Sequence, residues 1–200
     1  MGGRIKLLGI SASPRKAATD YIVREALRYA GDITEVEVEY FSVRGKDLSF
    51  CIHCDHCIKT GECVHRDGML ELYPLLLWAD AIIIGTPVYQ GTVSGQAKVL
   101  MDRCRALVAK DIHALKGKAG AAVAVGGDRS GGQEIAIRTI IDFFIINEMI
   151  PVGGGAFGAN LGASIWSQDK KAEGAASDSE GLKSLYKTVA RLIEVASGDA

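Results

Sequence analysis

Hydrophobic and polar positions follow two alternating periods along the chain, and this alternation predicts strands and helices in turn. Continuous apolar runs predict buried strands at 4–10, 81–85 and 119–125. Segment 35–41 instead alternates acidic and apolar side chains, which is typical of a strand with one face in water, so we place it at a sheet edge. A short fifth strand is predicted at 150–153.

Helical periodicity fills the intervals between these strands. The predicted helices span 19–30, 68–79, 94–109, 132–147 and 182–196. Strands that alternate with helices favour a parallel sheet with helices on both faces. The expected fold class is therefore α/β, with a doubly wound five-stranded parallel sheet in the order 2-1-3-4-5.

The whole chain, 1–200, is predicted to form a single domain. No periodicity is visible in 158–181, which is rich in Gly, Ala, Ser and charged residues. We expect this segment to be an irregular arm within a C-terminal extension, where Trp166 needs a surface to cover. Such an arm is suited to wrapping around a partner.

Composition and charge narrow the classes of partner. The 200 residues are 48% hydrophobic and carry a formal net charge of -1, which argues against nucleic acid or an anionic membrane as partner. No apolar run reaches the length of a membrane span, and the first residues lack the apolar core of a secretory signal. We therefore expect a cytoplasmic protein.

In a doubly wound sheet, ligands bind beyond the carboxyl ends of the strands, where the strand order reverses. The loop after the first strand carries hydroxyl groups and a guanidinium before a helix N-terminus, which suits a phosphate monoester. Alternatively, Ser13 or Thr19 caps that helix and Arg15 is simply solvated. Both interpretations stay open on the residues alone.

Two further loops at this sheet end are rich in glycine. In the loop 85–96, Tyr89 offers an aromatic face on which a flat ring could stack. The alternative is an ordinary turn with Ser94 as helix cap. The loop 125–134 is polar, and its alternative interpretation is a flexible connection. Three such loops at one sheet end favour one shared ligand.

Four of the five cysteines lie in the stretch CIHCDHCIKTGEC, with the spacing C-x2-C-x2-C-x5-C. In a reducing compartment, clustered cysteines hold a metal more often than they pair as disulfides. Three thiolates at x2 intervals suit three corners of an iron–sulfur cube, and the spacing favours a [4Fe-4S] cluster. A structural zinc, with help from neighbouring histidines, stays open. We expect His53, His56 and His65 to be exposed spacers and Cys104 to be a buried apolar residue.

The segments SASPRKAAT, TPVYQGTVSGQAKVLMDR and GGDRSGGQE, in this order, resemble the flavodoxin-like, NADPH-dependent FMN reductase family. With the cysteine stretch between strands 2 and 3, the resemblance is to the iron–sulfur flavoproteins of that family. It implies FMN and a [4Fe-4S] cluster as cofactors, with residues 51–63 as the cluster loop. One departure is Ala17-Ala18, where relatives often have Asn or Ser, so backbone amides must carry more of the phosphate binding.

The resemblance also implies the site residues. The implied phosphate ligands are Ser11, Ser13, Arg15 and Thr19. The residues implied to line the isoalloxazine ring are Pro87, Val88, Tyr89, Gln90, Gly91 and Val93, with Gly126, Gly127, Asp128, Arg129, Gly131 and Gly132 on its other contact side. The implied cluster ligands are Cys51, Cys54, Cys57 and Cys63.

The predicted function is electron transfer between a redox carrier such as ferredoxin, the cluster and FMN. The chain shows no nucleophile–base pair or carboxylate dyad, so catalysis would belong to the cofactors. One alternative is an NAD(P)H-dependent FMN or quinone reductase with a structural zinc, and another is a non-enzymatic redox or metal sensor. The resemblance further implies a homo-oligomer, a tetramer or dimer, in which the cluster of one subunit approaches the FMN of a neighbour.

Overall fold

The computed structural model describes residues 4–198, so the first three and last two residues of the predicted domain lie outside the described part. Its strands are β1 (Ile5–Ser11), β2 (Val36–Ser42), β3 (Ala81–Tyr89), β4 (Thr92–Val93), β5 (Ala119–Gly126), β6 (Ile150–Val152) and β7 (Ala163–Trp166). Its helices are α1 (Ala18–Ile33), α2 (His56–Thr60), α3 (Met69–Trp78), α4 (Gly95–Arg103), α5 (Arg105–Lys110), α6 (Gln133–Ile146), α7 (Lys171–Ser177) and α8 (Ser179–Ser197).

The sheet has the order β2-β1-β3-β5-β6, and these five strands are parallel to one another. This confirms the predicted order 2-1-3-4-5 and the edge position of the second strand. Two apolar clusters cover the sheet. Helices α1, α7 and α8 contribute to the cluster on one side, and α3, α4, α5 and α6 contribute to the other. None of the described helices is both long and apolar enough to cross a membrane.

The segment 158–181, predicted to be irregular, contains a strand and a helix, so that prediction is wrong. After β6 the chain leaves the sheet in a loop that closes with a hydrogen bond from the Gly154 amide to the Ala159 carbonyl. It then returns as β7, which pairs with the carboxyl half of β5, while β6 pairs with the amino half. The fifth strand position is thus shared by two short strands. Trp166 belongs to the sheet and not to a free arm.

The predicted helix 94–109 is divided into α4 and α5 at Cys104. The Cys104 amide hydrogen-bonds to the carbonyls of both Leu100 and Met101, which tightens the turn at this point. On a continuous helix, residues two positions apart point to different sides. Here Arg103 and Arg105, on either side of the division, line the same cavity.

Candidate functional sites

One cavity lies at the carboxyl ends of β1, β3, β5 and β7. Four separate parts of the chain line it, namely the carboxyl ends of these strands and the segments that follow them. The lining residues are Ser13, Arg15, Ala17, Ala18, Thr19, Pro87, Val88, Tyr89, Val125, Gly127, Ser167, Asp169 and Lys171. We call this the sheet-end cavity.

The first turn of α1 borders the sheet-end cavity without a side-chain cap. The Ser13 hydroxyl accepts a hydrogen bond from the Arg15 amide at 3.2 Å, within its own loop. The alternative in which Ser13 or Thr19 caps this helix is therefore wrong. Uncapped amides at the start of a 16-residue helix, together with the Arg15 guanidinium, favour an anion.

The second loop is a tight hairpin between β3 and β4. Val88 pairs with Val93 and Tyr89 pairs with Thr92, so Gln90 and Gly91 alone form the turn. Both turn residues have positive φ, 49° and 80°, as a turn that follows the strand twist requires. Tyr89 is thereby held at the cavity wall.

Ser94 caps α4, as the alternative interpretation of this loop predicted. Its hydroxyl accepts from the Ala97 amide at 3.1 Å and donates to the Ala12 carbonyl at 2.8 Å. The same side chain therefore starts the helix and fixes the second loop against the first. The two interpretations are compatible, because the capped turn still presents Tyr89 to the cavity.

Gln133 organises the third loop, a role that no pattern in the sequence predicted. Its side chain accepts from the Gly131 amide at 2.8 Å and donates to the Asp128 carbonyl at 2.5 Å. Gly132 has a φ of 110°, and a Cβ there would lie 2.5 Å from the Gly91 carbonyl oxygen. The second and third loops thus touch through two glycines, where a side chain would push them apart.

Seven of the sixteen residues implied to bind FMN line the sheet-end cavity, and the other nine do not. The seven are Ser13, Arg15, Thr19, Pro87, Val88, Tyr89 and Gly127. Ser11 is buried at the end of β1, and Val93 is buried in β4. Arg129 pairs with buried Asp178 at 2.7 Å and lies over the Trp166 ring. The remaining six are Gln90, Gly91, Gly126, Asp128, Gly131 and Gly132, in or next to the turns described above.

Three lining residues were missed by the sequence analysis: Ser167, Asp169 and Lys171. They follow β7, which pairs with β5 and so ends at the same side of the sheet as the other loops. The available signal was the short run ASIW, with a β-branched and an aromatic residue, followed by polar residues. Its four residues were too few to stand out within a Gly-rich segment.

A second cavity is lined by all four clustered cysteines: Cys51, Cys54, Cys57 and Cys63. We call it the cysteine cavity. Left-handed backbone conformations at His53 (φ 52°) and Asp55 (φ 55°) turn the chain between successive cysteines. Gly61 (φ 75°) ends α2 and reverses the chain towards Cys63. Three local turns therefore direct four thiols to one space.

Arg103 joins both ends of the cysteine loop, and its side chain is 1% exposed. Its guanidinium donates to the Ser49 carbonyl at 2.6 Å, before Cys51, and to both oxygens of Asp67, after Cys63, at 2.8 and 3.0 Å. Burial alone would raise the pKa of Asp67, but Arg103 and the amides of Ser49 and Met69 lower it to about 2. This ion pair closes the loop at its base.

Three buried nitrogen atoms at the cysteine cavity have no hydrogen-bond partner among the described residues. They are His65 Nε2, Arg103 Nε and Arg105 Nε, and all three residues line this cavity. Ser11 Oγ completes this set of buried unpaired side-chain atoms in the described part of the chain. His65 in the cavity wall and His56 in α2 are half-buried and not the exposed spacers that were predicted, whereas His53 is exposed.

The fifth cysteine, Cys104, does not line the cysteine cavity. Burial raises the pKa of its thiol to about 12, and it packs among apolar residues, as predicted.

Within residues 4–198, no three His, Cys, Asp or Glu side chains are arranged to hold a single metal ion.

Comparisons with known proteins agree with this fold and show the family. A family model described as NADPH-dependent FMN reductase matches residues 5–164. An iron–sulfur flavoprotein of Methanocaldococcus jannaschii is 59% identical over 192 residues, 96% of each chain. Another, from Archaeoglobus fulgidus, is 52% identical over 189 residues, 94% of this chain and 96% of the relative. The solved structure of a flavodoxin, WrbA-like protein from Agrobacterium tumefaciens has a TM-score of 0.65 at 14% identity, covering 99% and 100% of the two chains, which confirms the flavodoxin-like fold.

Proposed function

Because the chain belongs to the NADPH-dependent FMN reductase family, and within it to the iron–sulfur flavoproteins, we propose that it transfers electrons between a one-electron carrier such as ferredoxin, a [4Fe-4S] cluster and FMN. It is a flavin-dependent oxidoreductase, and the predicted family membership is confirmed. The cluster and the direction of electron flow are the parts that we propose.

The observation that carries the cluster proposal is the cysteine cavity itself. Four thiols from one loop line a single space, and thiolates are the usual ligands of iron–sulfur clusters. Buried polar atoms in proteins are almost always hydrogen-bonded, so the unpaired Nε–H donors of Arg103 and Arg105 at this space call for a group that accepts hydrogen bonds. A thiolate-held cluster is anionic and rich in sulfur, and the residues present fit it. Cys51, Cys54, Cys57 and Cys63 would hold it.

For FMN, we propose the sheet-end cavity. Its phosphate would lie at the uncapped N-terminus of α1, where Ser13, Arg15 and Thr19 line the wall. Ala17 and Ala18 at the first turn have no donor in their side chains, so backbone amides would supply the hydrogen bonds to the phosphate. Tyr89 would contact the flat ring system, since an aromatic face stacks on such rings. The chain's role is to bind and orient the flavin.

The two cofactors supply complementary chemistry when bound, because a cluster exchanges single electrons while a flavin exchanges one or two. The chain keeps their sites on separate loops. The cysteine cavity is lined by the segment after β2 and by α4 and α5, and the sheet-end cavity by the carboxyl ends of the central strands and the segments that follow β1, β3, β5 and β7. Each site can therefore be disturbed without directly touching the other.

We also propose a homo-oligomer, a tetramer or dimer, that acts in the cytoplasm. A largely apolar groove between α4, α5 and α6 supports this, because its wall includes Met101, Val108, Phe143 and two strongly exposed isoleucines, Ile112 and Ile146, which are 71% and 82% exposed. Asp102 and Arg105 line both this groove and the cysteine cavity, so a neighbouring subunit here would lie beside the cysteines. Ile146→Lys should lower the oligomer mass measured by light scattering, and an unchanged mass would exclude this groove.

The test of the function is the rate at which each electron donor reduces the bound flavin. Protein purified without oxygen is mixed with reduced ferredoxin or with NADPH, and the flavin absorbance is followed by stopped flow. We expect ferredoxin to reduce the flavin much faster than NADPH, and Cys54→Ala to remove the ferredoxin reaction. Rapid reduction by NADPH, unchanged in Cys54→Ala, would instead support an NAD(P)H-dependent reductase with a structural metal in the cysteine loop.

A further inference from the structure

Two arginines approach the cysteine cavity from outside the cysteine loop. Arg103 ends α4 and Arg105 begins α5, and both line the cavity. Each guanidinium is anchored by a carboxylate of the cysteine segment: Arg103 by Asp67, and Arg105 by Asp55 at 2.6 Å. The anchoring bonds use the terminal nitrogens and leave each Nε–H unused.

These unused groups are buried, which makes them unusual. Arg103 Nε and Arg105 Nε have no partner in the described part of the chain, and neither nitrogen is exposed to solvent. An unpaired buried donor destabilises a fold, because the group has lost its hydrogen bonds to water. Two such donors, on residues that line one cavity, indicate that an acceptor belongs there. The third unpaired nitrogen, His65 Nε2, lines the same wall.

Four cysteine sulfur atoms belong to the wall of this cavity. The carboxylates in the same wall, Asp55 and Asp102, already pair with Arg105 and Lys98. Three residues of this wall carry a buried nitrogen without a hydrogen-bond partner among the residues that the structure describes, and four others carry a thiol. Hydrogen bonds to sulfur are one of the means by which proteins set the potential of an iron–sulfur cluster, since they stabilise the more negative, reduced form. Fixed positive charge acts in the same direction.

We infer that Arg103 and Arg105 donate their Nε–H groups to sulfur atoms of the cysteine-held cluster and thereby raise its reduction potential. This inference rests on the proposed function, because it requires the cluster. It assigns to two residues outside the cysteine stretch a role that the spacing of the cysteines does not reveal.

Arg105 is the residue to change first, because it is partly exposed and its loss is less disruptive than loss of the buried Arg103. Arg105→Lys keeps the positive charge but removes the Nε–H, and Arg105→Gln removes both. We expect Arg105→Lys to lower the ratio of reduced to oxidised cluster about tenfold at a fixed potential, which is about 59 mV for one electron. Arg105→Gln should lower it further. The readout is a dye-mediated redox titration followed by the electron paramagnetic resonance of the reduced cluster.

Arg66→Gln is the matched control. It removes one positive charge three residues from Cys63, but Arg66 is exposed and pairs with Glu62 at 2.7 Å. We expect its potential to stay close to the wild-type value, because solvent screens an exposed charge. Arg103→Lys provides a second measurement at the buried position and should also lower the potential.

The outcomes separate the inference from the proposed function. A wild-type protein without iron and acid-labile sulfide would overturn the proposed function and this inference with it. If the wild-type protein holds a cluster and neither Arg105→Lys nor Arg105→Gln changes its potential, the inference alone is overturned. A change in Arg105→Gln matched by Arg66→Gln, with none in Arg105→Lys, would reduce the effect to charge and also overturn it.

Discussion

The cysteine cavity and the sheet-end cavity are built in opposite ways. In the first, all four thiols come from thirteen consecutive positions, and local turns at His53, Asp55 and Gly61 direct them to one space. In the second, four segments spread from Ser13 to Lys171 meet because the parallel strands end at the same side of the sheet. One site depends on local backbone conformation, and the other depends on the whole sheet. Changes in one should therefore leave the other intact.

The largest expected effect is the loss of iron in Cys54→Ala. This change removes one of the four thiols, so we expect bound iron to be lost while FMN stays bound in the sheet-end cavity. Metal and flavin content per chain measure both. Cys104→Ala is the control, because that thiol packs in the core and should not affect iron. Full iron retention in Cys54→Ala would mean that the ligands are assigned wrongly.

The reverse disturbance is Gly132→Ala. Its φ of 110° strains any other residue, and the new Cβ would lie 2.5 Å from the Gly91 carbonyl oxygen. We expect this strain to raise the free energy of the folded loop by about 1–3 kcal/mol. FMN should then bind more weakly, while the iron content stays unchanged. Gly155→Ala is the control, since Gly155 has a φ of 81° but nothing within 4 Å. Equal FMN affinity in both variants would show that contact between the two loops does not shape the cavity.

Asp67→Asn tests how firmly the cysteine loop is closed. Because the pKa of Asp67 is lowered to about 2, its ion pair stabilises the fold fully above about pH 4 and progressively less as the pH falls towards 2. We expect Asp67→Asn to lower the free energy of unfolding by about 2 kcal/mol at about pH 6. Urea unfolding in a Cys54→Ala background, which has no cluster to lose in acid, measures this.

The difference in stability between the protein that keeps Asp67 and the Asp67→Asn variant should shrink as the pH is lowered below about 4. A difference that stays constant down to about pH 3 would contradict the role given to the carboxylate charge. FMN affinity, measured in parallel, should be the same in both proteins, since Asp67 lies outside the sheet-end cavity.

The smallest expected effect is that of Arg15→Ala. The lost contact is to phosphate, so FMN should bind about tenfold more weakly, a cost of about 1.4 kcal/mol, while riboflavin affinity changes little. Fluorescence titration of the flavin-free protein with both ligands gives the comparison. Lys16→Ala is the control, because Lys16 is the neighbouring cation but does not line the sheet-end cavity, so FMN affinity should not change. An equal loss for FMN and riboflavin would assign Arg15 a structural role.

The same contrast explains what the sequence could predict. Continuous apolar runs predicted the three central strands, because buried parallel strands need them, and the alternating pattern of 35–41 predicted the edge strand. The cysteine ligands could be proposed from spacing alone, since local turns bring them together. The role of the Arg103 and Arg105 nitrogens could not be predicted from the sequence, because their position depends on how α4 and α5 pack against the cysteine loop. Ser167 and Lys171 were missed for a similar reason, as β7 forms only by pairing with β5.

The most direct test of the central claim is the content of iron, acid-labile sulfide, zinc and flavin per chain in protein purified without oxygen. The account predicts about four iron atoms with matching sulfide, one FMN, and a broad absorbance that a reductant bleaches. About one zinc per chain, no sulfide and a plain flavin spectrum would contradict it. The cysteine cavity would then be a structural metal site beside an ordinary flavin reductase fold.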